Sequence, residues 1–155
     1  MNLEFDAMAP IYLVSCVSKK REHKSAAKDL YISDWFIKAR KVVEATGCKW
    51  FILSAAHGLL KPEQIIEPYN HTLSRMVISE RREWGERTSL QLLNTVSQME
   101  QVIFFAGQRY REFLLPQLAQ HNIKTVVPMA GLSIGRQLRW LKQSASETHS
   151  SREKI

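Results

Sequence analysis

The sequence predicts an α/β fold, a three-layer α/β/α sandwich built on a mostly parallel, four-stranded sheet. Two observations predict it. Four short segments are apolar throughout instead of alternating, as strands covered on both faces are. A helical pattern follows each of them, and regular alternation of strand and helix implies right-handed crossovers.

The first strand covers residues 11–16 (IYLVSC), rich in β-branched and aromatic side chains. A helix over 34–46 (DWFIKARKVVEAT) starts behind Ser33 or Asp34 as N-cap and stops at Gly47, a suitable C′ residue. The second strand is 50–53 (WFIL), followed by a helix over about 79–98 with Leu90, Leu93 and Val96 at helical spacing. The third strand, 102–106 (VIFFA), leads through Gly107 to a helix over 110–120. The fourth, 125–129 (TVVPM), precedes a helix that begins near Ser133 and carries Leu138, Trp140 and Leu141. Residues 1–143 form one domain, and the polar segment 144–155 reads as a flexible tail. Trp35, Trp50 and Trp140 occupy core-like positions, whereas Trp84 does not.

The 155 residues carry a formal charge of +7, which suits a polyanionic partner because each neutralised phosphate releases counterions. The acidic start MNLEFDAMAP does not resemble a signal peptide and no apolar run is long enough to span a bilayer, so a cytoplasmic location is expected. Cys16 and Cys48 show no metal-ligand spacing and are too few for a disulfide framework. No cofactor and no metal is expected, and a monomer is favoured.

In open α/β sheets ligands bind beyond the carboxyl ends of the strands, so the segments after each strand carry the functional expectation. After the first strand comes a basic loop with Ser18, Lys19, Lys20, Arg21, Lys24, Lys28 and Asp29; it lacks the glycine spacing of a Walker loop. After the second come Ser54, His57, Gly58, Glu67 and Tyr69; Glu67 is held extended by Pro68. The third and fourth are followed by Gly107, Gln108, Arg109 and Tyr110, and by Gly131 and Leu132. These residues are expected to face one crevice, with glycines where backbone approaches a ligand.

The blocks SCVSKK, AKDLY, SAAHGLL, IEPY, FAGQRY and GLSIGRQLRWL, spread over about residues 11–142, resemble a widespread bacterial and phage domain family of unknown function. More distantly, KDLY, FFAGQ and PMAGLS are similar to three loops of the uracil-DNA glycosylase superfamily, although the first loop is more basic and no histidine precedes the last. The chain also resembles the small antiphage DNA glycosylases of the Brig type, which excise modified bases from viral DNA.

That resemblance implies an N-glycosidase that flips a modified base out of DNA and hydrolyses its glycosidic bond. The reaction builds positive charge on the sugar and negative charge on the leaving base. Asp29 or Glu67 is the expected carboxylate near the sugar and His57 the donor to the base. Tyr69 or Tyr110 would stack on the base, Lys19 and Arg109 would hold flanking phosphates, and Leu132 would wedge into the vacated stack. Two alternatives stand beside it: a non-catalytic nucleic-acid or nucleotide-binding module, and a hydrolase or transferase of free nucleosides or nucleotides.

Overall fold

Strand β1 (Ile11–Ser15) has apolar side chains on both faces, and they separate by parity. Ile11 and Leu13 join one hydrophobic cluster, while Tyr12 and Val14 join another on the opposite side of the sheet. The same alternation holds for Ile52 against Leu53 in β3 (Trp50–Ser54) and for Phe105 against Phe104 in β6 (Gln101–Phe105). A sheet whose successive residues are apolar on both sides needs a helical layer on each, and the chain supplies them. The computed structural model describes residues 9–16, 19–96 and 101–153.

On one face lie α2 (Asp34–Ala45) and α6 (Ile134–Glu153), packed against each other, with Phe36, Ala39, Val43 and Leu141 fully buried. On the other lie α3 (Ile78–Thr95) and α5 (Leu115–Gln120), which bury Trp84, Leu92 and Leu118. Each such side chain removed from water contributes about 1.5–3 kcal/mol. Helix α2 starts as its sequence demands: the Ser33 hydroxyl accepts from the Phe36 N–H at 3.2 Å.

The main sheet has five strands, not four, in the order β4-β3-β1-β6-β7. β3, β1, β6 and β7 (Lys124–Val126) are parallel, and β4 (Gly58–Leu60) returns antiparallel on β3. Gly58 makes that return possible. Its φ is +73°, and a Cβ there would collide with the Gln91 side chain, so only glycine fits.

A second, two-stranded ladder joins β2 (Ser25–Ala26) to β5 (Ile65–Ile66), antiparallel. With it, the short α1 (Ala27–Leu30) is pinned to the loop after β4: the N–H groups of Ala27 and Lys28 donate to the carbonyls of Gln64 (2.7 Å) and Pro62 (2.9 Å). The basic loop is therefore a folded flap and not a free connection.

Three further features differ from the sequence expectation. The helix expected over 110–120 is broken into α4 (Gln108–Arg111) and α5, because Pro116 in the first turn of α5 cannot continue a helix from behind. Trp84 is 2 % exposed and belongs to the core. Helix α6 runs on through Glu153, across most of the segment assigned to a tail, with Ala145 packed against the core.

Candidate functional site

β1 lies between β3 and β6, so the connection after β1 runs toward β3 while the one after β6 runs toward β7, in opposite directions across the sheet. At such a switch point the loops diverge and a crevice opens beyond the carboxyl ends. A cleft of about 760 Å³ lies there. Its floor is Ser15 and Cys16, the end of β1; one wall is Gly107 to Tyr110 with Glu112; the other includes Ser33, Trp35 and Gln137 from the starts of α2 and α6. Thr72, Leu73 and Ser74, in a 3-10 turn over Leu73–Arg75, close the remaining side.

Several of these groups are held in place. The Trp35 indole N–H donates to Gln137 Oε1 at 2.9 Å, and Gln137 Nε2 donates to the Leu132 carbonyl at 2.8 Å. Glu112 pairs with Arg81 at 3.1 Å, while Arg81 also donates to the Met76 carbonyl at 2.9 Å. Among the described residues Glu112 is the sole carboxylate lining the cleft. The Tyr110 hydroxyl and the Cys16 thiol share a hydrogen bond at 3.2 Å.

Behind Cys16, toward β3, lies a network of hydroxyls. Tyr69 shares hydrogen bonds with Tyr31 (2.5 Å) and Ser54 (2.7 Å) and donates a long one to Cys16 Sγ (3.6 Å). Ser54 Oγ accepts from the His57 N–H at 3.1 Å, and the Ser54 carbonyl accepts from the Trp84 indole at 2.9 Å. Burial, and next the nearby Cys16 thiol, push the phenols of Tyr31, Tyr69 and Tyr110 well above the ordinary tyrosine range. They therefore stay protonated and act as hydrogen-bonding groups, not as bases. Lys20 Nζ stands 4.5 Å from the Tyr69 ring centroid, tying the basic flap to this network.

The expected site residues divide accordingly. Gly107, Gln108, Arg109 and Tyr110 line the cleft, and Gly131 and Leu132 line an adjoining cavity. Ser54 is fully buried, and Tyr69 is half-buried with its ring edge-on to His57 at 5.4 Å. Asp29 binds Arg40 at 2.8 Å and fastens α1 to α2. His57 and Glu67 are exposed. None of Asp29, His57 and Glu67 lines the cleft or the adjoining cavity. Lys19 is exposed, with its carbonyl accepting from the Ile32 N–H, and Lys28 is half-buried. Ser18 lies outside the described residues.

The residues that sequence reasoning missed are Glu112, Trp35, Ser33 and Gln137. One signal for Glu112 was available: it follows the third strand expected over 102–106 by six positions, two residues past Tyr110 in the helix expected over 110–120. Among the described residues no three His, Cys, Asp or Glu side chains converge as metal ligands would, and no helix is long and apolar enough to cross a membrane.

Over residues 11–143 the chain matches a family of unknown function, DUF6884, and it belongs to that family. It is 25% identical over 130 residues to "Uncharacterized protein YfjM" of Bacillus subtilis (strain 168), an alignment that covers 79% of this chain and 82% of the relative. No solved structure matches.

Proposed function

We propose that this member of a family of unknown function is an N-glycosidase acting on nucleic acid, with a modified base of DNA, such as viruses carry, as substrate. The observation that carries the proposal is the composition of the cleft at the switch point: two aromatic rings, two side-chain amides and a single carboxylate around an open volume of about 760 Å³. Trp35 and Tyr110 offer faces or edges against which a planar base can lie. Gln108 can read donors and acceptors on its rim, while Gln137, held by Trp35 and Leu132, forms a fixed wall. Glu112 supplies negative charge where the sugar becomes cationic, and its pairing with Arg81 fixes the carboxylate in advance. The net charge of +7 and the exposed Lys19, Arg21 and Lys24 of the flap supply backbone affinity.

In this reading the carboxylate role passes from Asp29 and Glu67 to Glu112, and the base-side donor is the Gln108 amide instead of His57. The strand's own loops leave a wedge role to Leu132 or to Ile134, which is 64% exposed at the mouth of the cleft.

One observation favours a second reading, binding without turnover: the sole lining carboxylate already has a cationic partner. The experiment that separates the two is incubation with phage DNA carrying hypermodified pyrimidines and with unmodified DNA, scoring released bases and abasic sites by mass spectrometry. Release from modified DNA supports the enzyme. Tight, steeply salt-dependent binding without release supports the module.

A further inference from the structure

A second cavity, of about 480 Å³, opens beyond the ends of β6 and β7 and shares Trp35, Gly107, Gln108 and Gln137 with the first. Its own lining adds Arg111, Gly131 and Ser133, and among the described residues it includes no carboxylate. The buried Nε–H of Arg111 has no hydrogen-bond partner among the described residues. Folded proteins rarely leave such a donor without an acceptor, and a guanidinium carries its charge throughout the accessible pH range. That atom is itself sealed from solvent, but no carboxylate pairs with the same guanidinium among the described residues, so its terminal N–H groups are left for a ligand in the cavity.

Two further features suit an oxygen-rich anion, in a cavity otherwise lined by apolar side chains such as Phe104, Val127 and Met129. Gly131 has φ +79°, and no atom lies within 4 Å of where its Cβ would stand, so backbone rather than side chain faces this space. The Ser133 hydroxyl accepts from the Arg136 N–H at 3.4 Å, which leaves its own proton for a ligand. Gln137 has both polar atoms of its amide committed, to Trp35 and to Leu132, so it forms a fixed partition between the two cavities. Arg111 and Ser133 give the second cavity its cation and its hydroxyl donor, whereas the carboxylate among the described lining residues, Glu112, belongs to the first.

We propose that the second cavity is a phosphate subsite, in which Arg111 donates through its terminal N–H groups to two phosphate oxygens. A phosphorylated nucleotide then spans both cavities, with its ring in the first and its phosphate in the second. The placement of the ring rests on the function proposed above; the phosphate site does not. Two sources share this chemistry: the diester flanking an extruded base in a polynucleotide, and the terminal phosphate of a free mononucleotide.

The test uses the full chain. Inorganic phosphate is titrated at low ionic strength while the arginine Nε–H resonances are followed by NMR, Arg111 being assigned through its own backbone. Binding of a nucleoside monophosphate and of an oligonucleotide with hydroxyl ends is measured by calorimetry for the wild type and for Arg111→Gln. The expected result is a saturable shift of the Arg111 resonance and a Kd raised at least about tenfold by Arg111→Gln for one or both ligands. A larger loss for the mononucleotide identifies the free phosphate as the source; a larger loss for the oligonucleotide identifies the diester. An Arg111 resonance that phosphate does not move overturns the subsite, as does wild-type binding of both ligands by a folded Arg111→Gln. Absence of base release with the phosphate shift intact removes the glycosidase and retains the subsite.

Discussion

Ser54, Tyr31 and Tyr69, at the carboxyl end of β3, satisfy one another in a closed set of hydrogen bonds, while Arg111, beyond β6, keeps a buried donor without a protein partner beside open volume. Both regions are rich in polar side chains. They differ in what those side chains bind. A satisfied network stabilises and orients; a guanidinium without a carboxylate partner among the described residues, next to a cavity, is left to pair with a ligand. The stretch that looks most chemical in the sequence thus forms scaffold, and the plainer segments around Gln108, Arg111 and Gln137 form the walls of the clefts.

If that division is correct, substitutions on the β3 side should cost stability first. The largest effect is expected for Tyr69→Ala, which removes a half-buried ring and orphans Ser54 and Tyr31; about 3–5 kcal/mol is expected by chemical denaturation. Tyr69→Phe should cost about 1–3 kcal/mol, the penalty of leaving buried partners unpaired. A loss below half a kcal/mol for the Ala variant would break the comparison.

Alkaline pH provides a second test. The folded-state pKa values of Tyr12, Tyr31, Tyr69 and Tyr110 are all raised by burial, so the folded chain holds these protons more tightly than the unfolded chain. Their contribution to stability is fully present below the unfolded tyrosine value, about pH 10, and falls as pH rises above it. The thermal midpoint should decline from that point, and phenolate absorbance should rise with unfolding and not before it. Phenolate formation near pH 10 in the folded chain would contradict the closed network.

Gly58→Ala should cost somewhat less. A left-handed backbone with a Cβ is worth about 1–2 kcal/mol, to which the Gln91 side chain adds by having to move. The smallest stability effect is expected on the cleft side. Gln137→Ala, on a half-buried residue, should cost about 1 kcal/mol or less, while weakening binding of nucleic acid by a larger factor in the same preparation. Equal losses of stability and binding would remove the distinction between the two regions.

Much of the scaffold was legible because burial on both faces of a strand leaves an uninterrupted apolar run, as at Val102 to Phe105. β4 was not legible: three residues returning antiparallel announce themselves only through Gly58, which also reads as an ordinary turn. The break after α4 was available in Pro116 and was masked by the apolar spacing around it. At the site, Gly107 to Tyr110 could be found because they follow a strand directly. Trp35 and Gln137 could not, since their meeting depends on α2 and α6 lying side by side, a consequence of strand order that no local pattern carries. Asp29 and Glu67 drew attention as acids near basic and aromatic residues, yet Asp29 fastens Arg40 and Glu67 points to no cleft lining.

The claim that the chemistry lies at the β1/β6 switch point is tested most directly by base release from hypermodified phage DNA, comparing the wild type with Glu112→Gln and Glu67→Gln at matched folded fraction. The account predicts release by the wild type and a loss of at least about a hundredfold in Glu112→Gln, as expected when a group that acts on the transition state is neutralised. Release by Glu112→Gln at the wild-type rate, with loss in Glu67→Gln, would contradict it and return the chemistry to the end of β3.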